Sequence, residues 1–178
     1  MKDIPSESFV FVDESGVTTA MTRTHARSRK GSRVLEVIPR NRGGVLTLIG
    51  ALSQEGLIAM GTVNGGTSTD VYMAWLEQVL IPELKPGQIV VMDNLAAHRS
   101  PRVIAALRKA KCSALFLPPY SPERNPIELF WAWLKARLRS LKARTRANLE
   151  AGIVAAMDAL PRACVDSWFN ECGYGRPS

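Results

Sequence analysis

The chain has 178 residues, 46% of them hydrophobic, and a formal net charge of +7 with a sequence pI of about 9.7. That length suits one domain with a substantial core. No apolar run is long enough to span a membrane, and the polar start MKDIPSES lacks the apolar segment of a secretory signal, so a soluble, cytoplasmic protein is expected. Cys112, Cys164 and Cys172 form neither a CxxC pair nor an even disulfide set and are read as reduced, while the positive balance points toward a polyanionic partner.

In chain order, SFVFVDESG reads as a buried strand that ends at acids and a glycine turn. THARSRKGSR, residues 24–33, follows as a basic loop or strand extension. Its plain reading is a solvated charge run, and its functional reading is contact with DNA through Arg27, Arg29, Lys30 and Arg33. VLTLIGALS and LIAMGTV suggest a hairpin across Gln54, Glu55 and Gly56. Residues 68–84 show helical spacing after a Ser/Thr/Asp start, and KPG closes that segment before the strand QIVVMDN. A helix is expected over 100–110, a strand over SALFLP at 113–118, and helices over 126–142, 145–160 and 162–172. Strands first and then alternating strands and helices, with no repeat and no linker, predict one α/β domain over 1–178 with a mixed sheet flanked by helices.

Asp13 follows FVFV and Asp93 follows IVVM, so each acid is expected where an apolar strand leaves the core, a favoured functional position in open α/β sheets. Two such acids can share a metal, and either one alone can equally be a turn cap. The third acid lies in LPPYSPERNPIELFW. Pro118, Pro119 and Pro122 stiffen the approach to a helix that starts at Pro126 and carries Glu128 in its first turn. Asn125 as N-cap and Glu128 three residues later can form a capping box, a role that requires no chemistry. Ile127, Trp131, Leu134 and Leu138 make an apolar stripe read as core. On another face Lys135, Arg139 and Lys142 follow Glu128 at helical spacing, which suits the helix dipole and also a phosphate backbone lying across a metal site.

Taken together, VFVDESG, VVMDNLAAH and LPPYSPERNPIE resemble the three signature segments of DDE transposases, in the bacterial insertion-sequence group related to mariner elements, and 34 residues separate Asp93 from Glu128 as that resemblance implies. The similarity extends through TRTHARSRKG and the terminal WFNECGYG. It implies a ribonuclease-H-like fold in which Asp13, Asp93 and Glu128 are catalytic and hold Mg²⁺, or Mn²⁺ in its place, as two ions. Phosphodiester chemistry needs an activated oxygen, a stabilised leaving oxygen and neutralised charge, and hard carboxylate oxygens holding divalent ions meet those needs without a covalent enzyme nucleophile. Glu14 is either a supporting group or a turn carboxylate. Asn94 and His98, within the matched DNxxxH segment, either orient Asp93, contact DNA or are structural.

The first core strand begins near residue 8, which leaves no room for the N-terminal helix-turn-helix region that the resemblance leads one to expect. The expected partners are therefore DNA, a helix-turn-helix region that is separate or joined by frameshifting, and a second copy in a homodimer. The leading expectation is a metal-dependent domain for DNA strand cleavage and strand transfer in transposition. The alternatives are a nuclease on the same fold and a catalytically silent DNA-binding or regulatory fragment.

Overall fold

The computed structural model describes residues 4–25, 27–33, 35, 44–119 and 121–175, so Tyr120 of the proline-rich run lies outside the described residues. The sheet begins with three antiparallel strands, β1 (Phe9–Val17), β2 (Leu46–Ser53) and β3 (Gly56–Asn64). Two parallel strands, β4 (Ile89–Met92) and β5 (Ser113–Phe116), then extend it on the other side of β1. The resulting order β3-β2-β1-β4-β5 puts β1 at the centre of a mixed five-stranded sheet.

Both sheet faces are covered. Phe9, Phe11 and Val17 face one side and Val10 and Val12 the other, which is why β1 reads as a continuous apolar run rather than an alternating one. The first face packs against α3 (Pro126–Leu141), α4 (Arg146–Asp158) and α5 (Arg162–Glu171), through Ile127, Phe130, Trp131, Leu149, Ile153 and Phe169. The second packs against α1 (Thr69–Trp75) and α2 (Pro101–Lys109), through Tyr72, Trp75, Val103 and Leu107. This is the ribonuclease-H-like arrangement expected of the sequence.

Three local expectations are corrected. The segment 68–84 is not one regular helix: α1, N-capped by Ser68, passes into a π-helical turn at Leu76–Leu80 and a 3-10 turn at Ile81–Glu83. Pro82 has no N–H to give the Gln78 carbonyl and its ring crowds that oxygen, so the α ladder cannot continue through it. The first strand does not end at its acids either. β2 pairs with β1 from Val10 to Val17, holding Asp13 and Glu14 inside the ladder. Finally, Asn125 does occupy the N-cap of α3, with Pro126 at the first helical position, but its side chain makes no cap hydrogen bond. Its N–H instead goes to the Pro122 carbonyl at 3.0 Å, leaving no reciprocal bond for Glu128 to complete.

Candidate active site

Asp13 owes its position to strand lengths. The parallel partner β4 pairs with β1 only as far as Phe11, so β1 outruns it and carries Asp13 past the end of the parallel ladder. On the other side Asp13 is in register with Gly50 of β2. A Cβ on Gly50 would lie 2.8 Å from Cη2 of Trp131, so only glycine leaves room for the indole to lie across the strand. The indole uses that room: Trp131 Nε1 donates to Asp13 Oδ2 at 3.1 Å. Sequence periodicity marks Trp131 as core, which is correct for its ring. Periodicity does not disclose the polar contact, although a position three residues after Glu128 puts Trp131 on the adjoining flank of the same helix.

Asp13 is 9% exposed. Its carboxyl is pushed up to about 7, first by burial and then by the negative charge of Glu128, with a smaller push from Asp93, while hydrogen bonds from the Glu14 backbone and the Trp131 N–H pull the other way. The charges of the other two acids predicted from the sequence therefore reach Asp13 on β1 from the exit of β4 and the first turn of α3. Every charged side chain that shifts Asp13 is itself an acid. A buried carboxyl pressed by two anions, with no cation among the groups that shift it, fits a divalent cation held by hard oxygens. No group of three His, Cys, Asp or Glu among the described residues is drawn tightly enough to hold a metal as it stands.

Asp93 begins a tight turn. Its Oδ1 accepts the Leu95 N–H at 3.0 Å and lies 2.6 Å from His98 Nδ1. Burial alone would raise Asp93, but the His98 hydrogen bond, the Leu95 N–H and the imidazolium charge outweigh it and hold the carboxyl below its ordinary value. His98 is wholly buried. Burial disfavours its charge, yet Asp93 and Glu14 together lift it to about 9. Glu14 lies on the opposite face of β1 from Asp13, with Oε1 3.7 Å from His98 Nε2, too long for a hydrogen bond and effective through charge. Tyr72, absent from the sequence reading of the site, closes this side with its ring centre 4.5 Å from that of His98 and its hydroxyl 3.2 Å from Met92 Sδ.

Asn94 plays a different part. Its Nδ2 donates to the Leu117 carbonyl at 2.6 Å, joining the exits of β4 and β5. Lys135 and Arg139 are half-buried on the helix that carries Glu128, and Lys142 is exposed at its C-cap in the left-handed conformation. Arg27, Arg29, Lys30 and Arg33 are exposed in an irregular segment. Its turn is held locally by the Ser32 N–H and hydroxyl, both donating to the Arg29 carbonyl, and by the Ser28 hydroxyl donating to the Ser32 carbonyl.

A central strand that carries one acid beyond its parallel neighbour, a second acid at that neighbour's exit and a third on the packed helix define a ribonuclease-H-like domain with an acidic centre. Within that class the chain belongs to the family described as DDE superfamily endonuclease, whose profile matches residues 8–150 and so includes Asp13, Asp93 and Glu128. A Caenorhabditis briggsae protein, the transposable element Tcb1 transposase, is 26% identical over 132 residues, covering 72% of this chain and 48% of its own length. Two solved structures share the fold. The Mos1 transposase paired-end complex with the left transposon end has a TM-score of 0.79 at 18% identity, over 94% of this chain and 52% of that one. The Mos1 transposase catalytic domain with raltegravir and Mg has a TM-score of 0.71 at 15% identity, over 96% of this chain and 81% of that one. The chain thus spans about half the length of the curated relative it matches. No helix among the described residues is long and apolar enough to cross a membrane.

Proposed function

We propose that the chain is the catalytic domain of a DNA transposase, cleaving DNA strands and joining a 3′-hydroxyl end to a target phosphodiester. Asp13, Asp93 and Glu128 would hold two Mg²⁺ ions, or Mn²⁺ in their place. The observation that carries this reading is the Asp13 carboxyl, raised first by its burial and further by the charges of Glu128 and Asp93. Family membership and a fold shared with a Mos1 catalytic domain solved with Mg support it. When bound, the ions would supply charge neutralisation at the phosphate and lower the pKa of the attacking hydroxyl. The chain's own contribution is to fix the acids: β1 and Trp131 hold Asp13, the Leu95–His98 turn holds Asp93, and the rigid first turn of α3 presents Glu128. Phosphate contacts are assigned to the α3 face bearing Lys135, Arg139 and Lys142 and to the exposed Arg27, Arg29, Lys30 and Arg33.

The test incubates the protein with Mg²⁺, DNA carrying the sequences that flank its own coding region, and a supercoiled target plasmid. Strand cleavage followed by joined product is expected. Glu128→Gln, which has lost no capping box because none exists, should fold and bind DNA normally while both products disappear, as with Asp93→Asn. Cleavage without joining would identify a hydrolase. Robust cleavage by purified Glu128→Gln would remove Glu128 from the site.

A further inference from the structure

We infer that His98 is a positioning residue, selecting which oxygen of Asp93 faces the metal while holding Glu14 away from it; this rests on the proposed assignment of Asp93 as a metal ligand. Two donors converge on a single carboxylate oxygen, the Leu95 N–H at 3.0 Å and His98 Nδ1 at 2.6 Å, both at Asp93 Oδ1. With Oδ1 engaged twice, the lone pairs of Oδ2 are the ones left to a cation. A carboxylate without these two bonds would rotate about its Cβ–Cγ bond and present either oxygen.

The imidazole cannot easily drift. It is 0% exposed, and the Tyr72 ring lies against it while the Tyr72 hydroxyl is engaged with Met92 Sδ. Its far nitrogen, Nε2, is buried without a hydrogen-bond partner and faces Glu14 Oε1 at 3.7 Å. The ring therefore stands between two carboxylates on different strands: Asp93 at the exit of β4 and Glu14 within β1. Glu14 neighbours Asp13 in sequence, but strand alternation turns it to the other sheet face, where its Oε1 meets the Nε2 edge of the imidazole rather than the acidic centre. A fourth carboxylate is thereby kept out of the metal centre.

An ordinary buried histidine would contribute only packing, and the two roles separate by experiment. Mn²⁺ binding to the purified chain is measured by calorimetry. Outer partners of metal-ligating carboxylates typically contribute about 10- to 100-fold in metal affinity, and a loss of that size is expected for His98→Ala. His98→Asn, whose amide nitrogen takes the place of Nδ1, should recover most of it, whereas His98→Gln, whose amide reaches toward Glu14 instead, should not. A role in packing alone predicts lower melting temperatures without that split.

In the unsubstituted protein, saturation with Mg²⁺ should move the NMR resonance of His98 Nδ1. A folded His98→Ala protein that binds Mn²⁺ within about twofold of the unsubstituted chain overturns the inference. So does failure of Asn to outperform Gln, or an Nδ1 resonance that saturating Mg²⁺ leaves in place. Asp93→Asn is the control for the underlying assignment: if it binds Mn²⁺ normally, the metal-site reading itself falls. If Asp93→Asn fails to bind while His98→Ala binds normally, the site stands and only the role of His98 is lost.

Discussion

Asp13 is a group the folded chain holds at a cost. Its carboxyl sits near 7 in the folded state against 3.8 as the ordinary value, so between those values the folded chain binds the proton and the unfolded chain does not. Stability therefore falls as pH rises through that window. His98 runs the same way. Raised to about 9 from 6.5, it contributes stability that is full below 6.5 and lost as pH climbs through 9. In chelator, Asp13→Asn keeps an acceptor for the Trp131 N–H while deleting the buried charge. It should be more stable than the unsubstituted chain at pH 8 by something on the order of 2 kcal/mol. The difference should narrow toward pH 5 and vanish only below 3.8, where the carboxyl is protonated in the unfolded chain as well. Thermal melts at the two pH values check this, and a lower melting point for Asp13→Asn at pH 8 would contradict the stated burial and repulsion. At this scale the sequence singled out Asp13, Asp93 and Glu128 through their three matched segments taken together, whereas the local expectation that Asp13 ends its strand did not hold, because β1 runs on to Val17. The sequence did not disclose Gly50 or Tyr72, whose roles depend on cross-strand register and on a helix packing over the sheet.

The elements that matter most are β1 and α3, and one glycine governs how they meet. Gly50→Ala places a methyl group 2.8 Å from the Trp131 ring, so α3 must shift or the indole must swing away from Asp13. Overpacking of this kind typically costs about 1–3 kcal/mol. Here the loss should come with a change in Trp131 fluorescence and weaker Mg²⁺ binding, whereas Gly66→Ala, which meets nothing within 4 Å, should leave both unchanged. On its other flank α3 carries Lys135 and Arg139 in line with Glu128. Replacing both with Gln should weaken DNA binding about equally across sequences and reduce the slope of log affinity against log salt by about 0.9 for each phosphate no longer neutralised. An unchanged slope would remove this face from the DNA interface. The helix limits, the hairpin and the apolar stripe of α3 were all legible from periodicity and punctuation. The π-helical turn after α1 was not, because a regular hydrophobic spacing looks the same until Pro82 imposes its geometry. The capping box failed for a comparable reason: a carbonyl three residues back had already taken the N–H it needed.

For the molecule as a whole, the chemistry of the acids links metal, protons and folding. If Asp13 is a ligand as proposed, a divalent cation displaces its proton on binding, so the rise in melting temperature on adding Mg²⁺ should be larger at pH 8 than at pH 6. Equal rises at the two pH values would place the ion away from Asp13. The mixed sheet was legible as a class from the order of strands and helices. Its strand order was not, since nothing in FVFV or IVVM states that β1 pairs in parallel with a strand beginning at Ile89. Pairing partners are chosen by how well whole faces pack, a property of all the elements at once.

That parallel pairing also sets a timetable. The hairpin of β2 and β3 closes over a few residues, but joining Phe9 to Ile89 closes a long loop whose entropy must be met before any contact compensates for it. The acid on α3 comes later still along the chain. On a ribosome, Asp13 and Asp93 are both synthesised well before Glu128, and the Trp131 indole that steadies Asp13 follows three residues after that. Until α3 has emerged and docked, the nascent chain lacks one of the three proposed ligands, so on the proposed function any capacity to cut DNA waits for α3, while α4 and α5 have still to complete that face of the core.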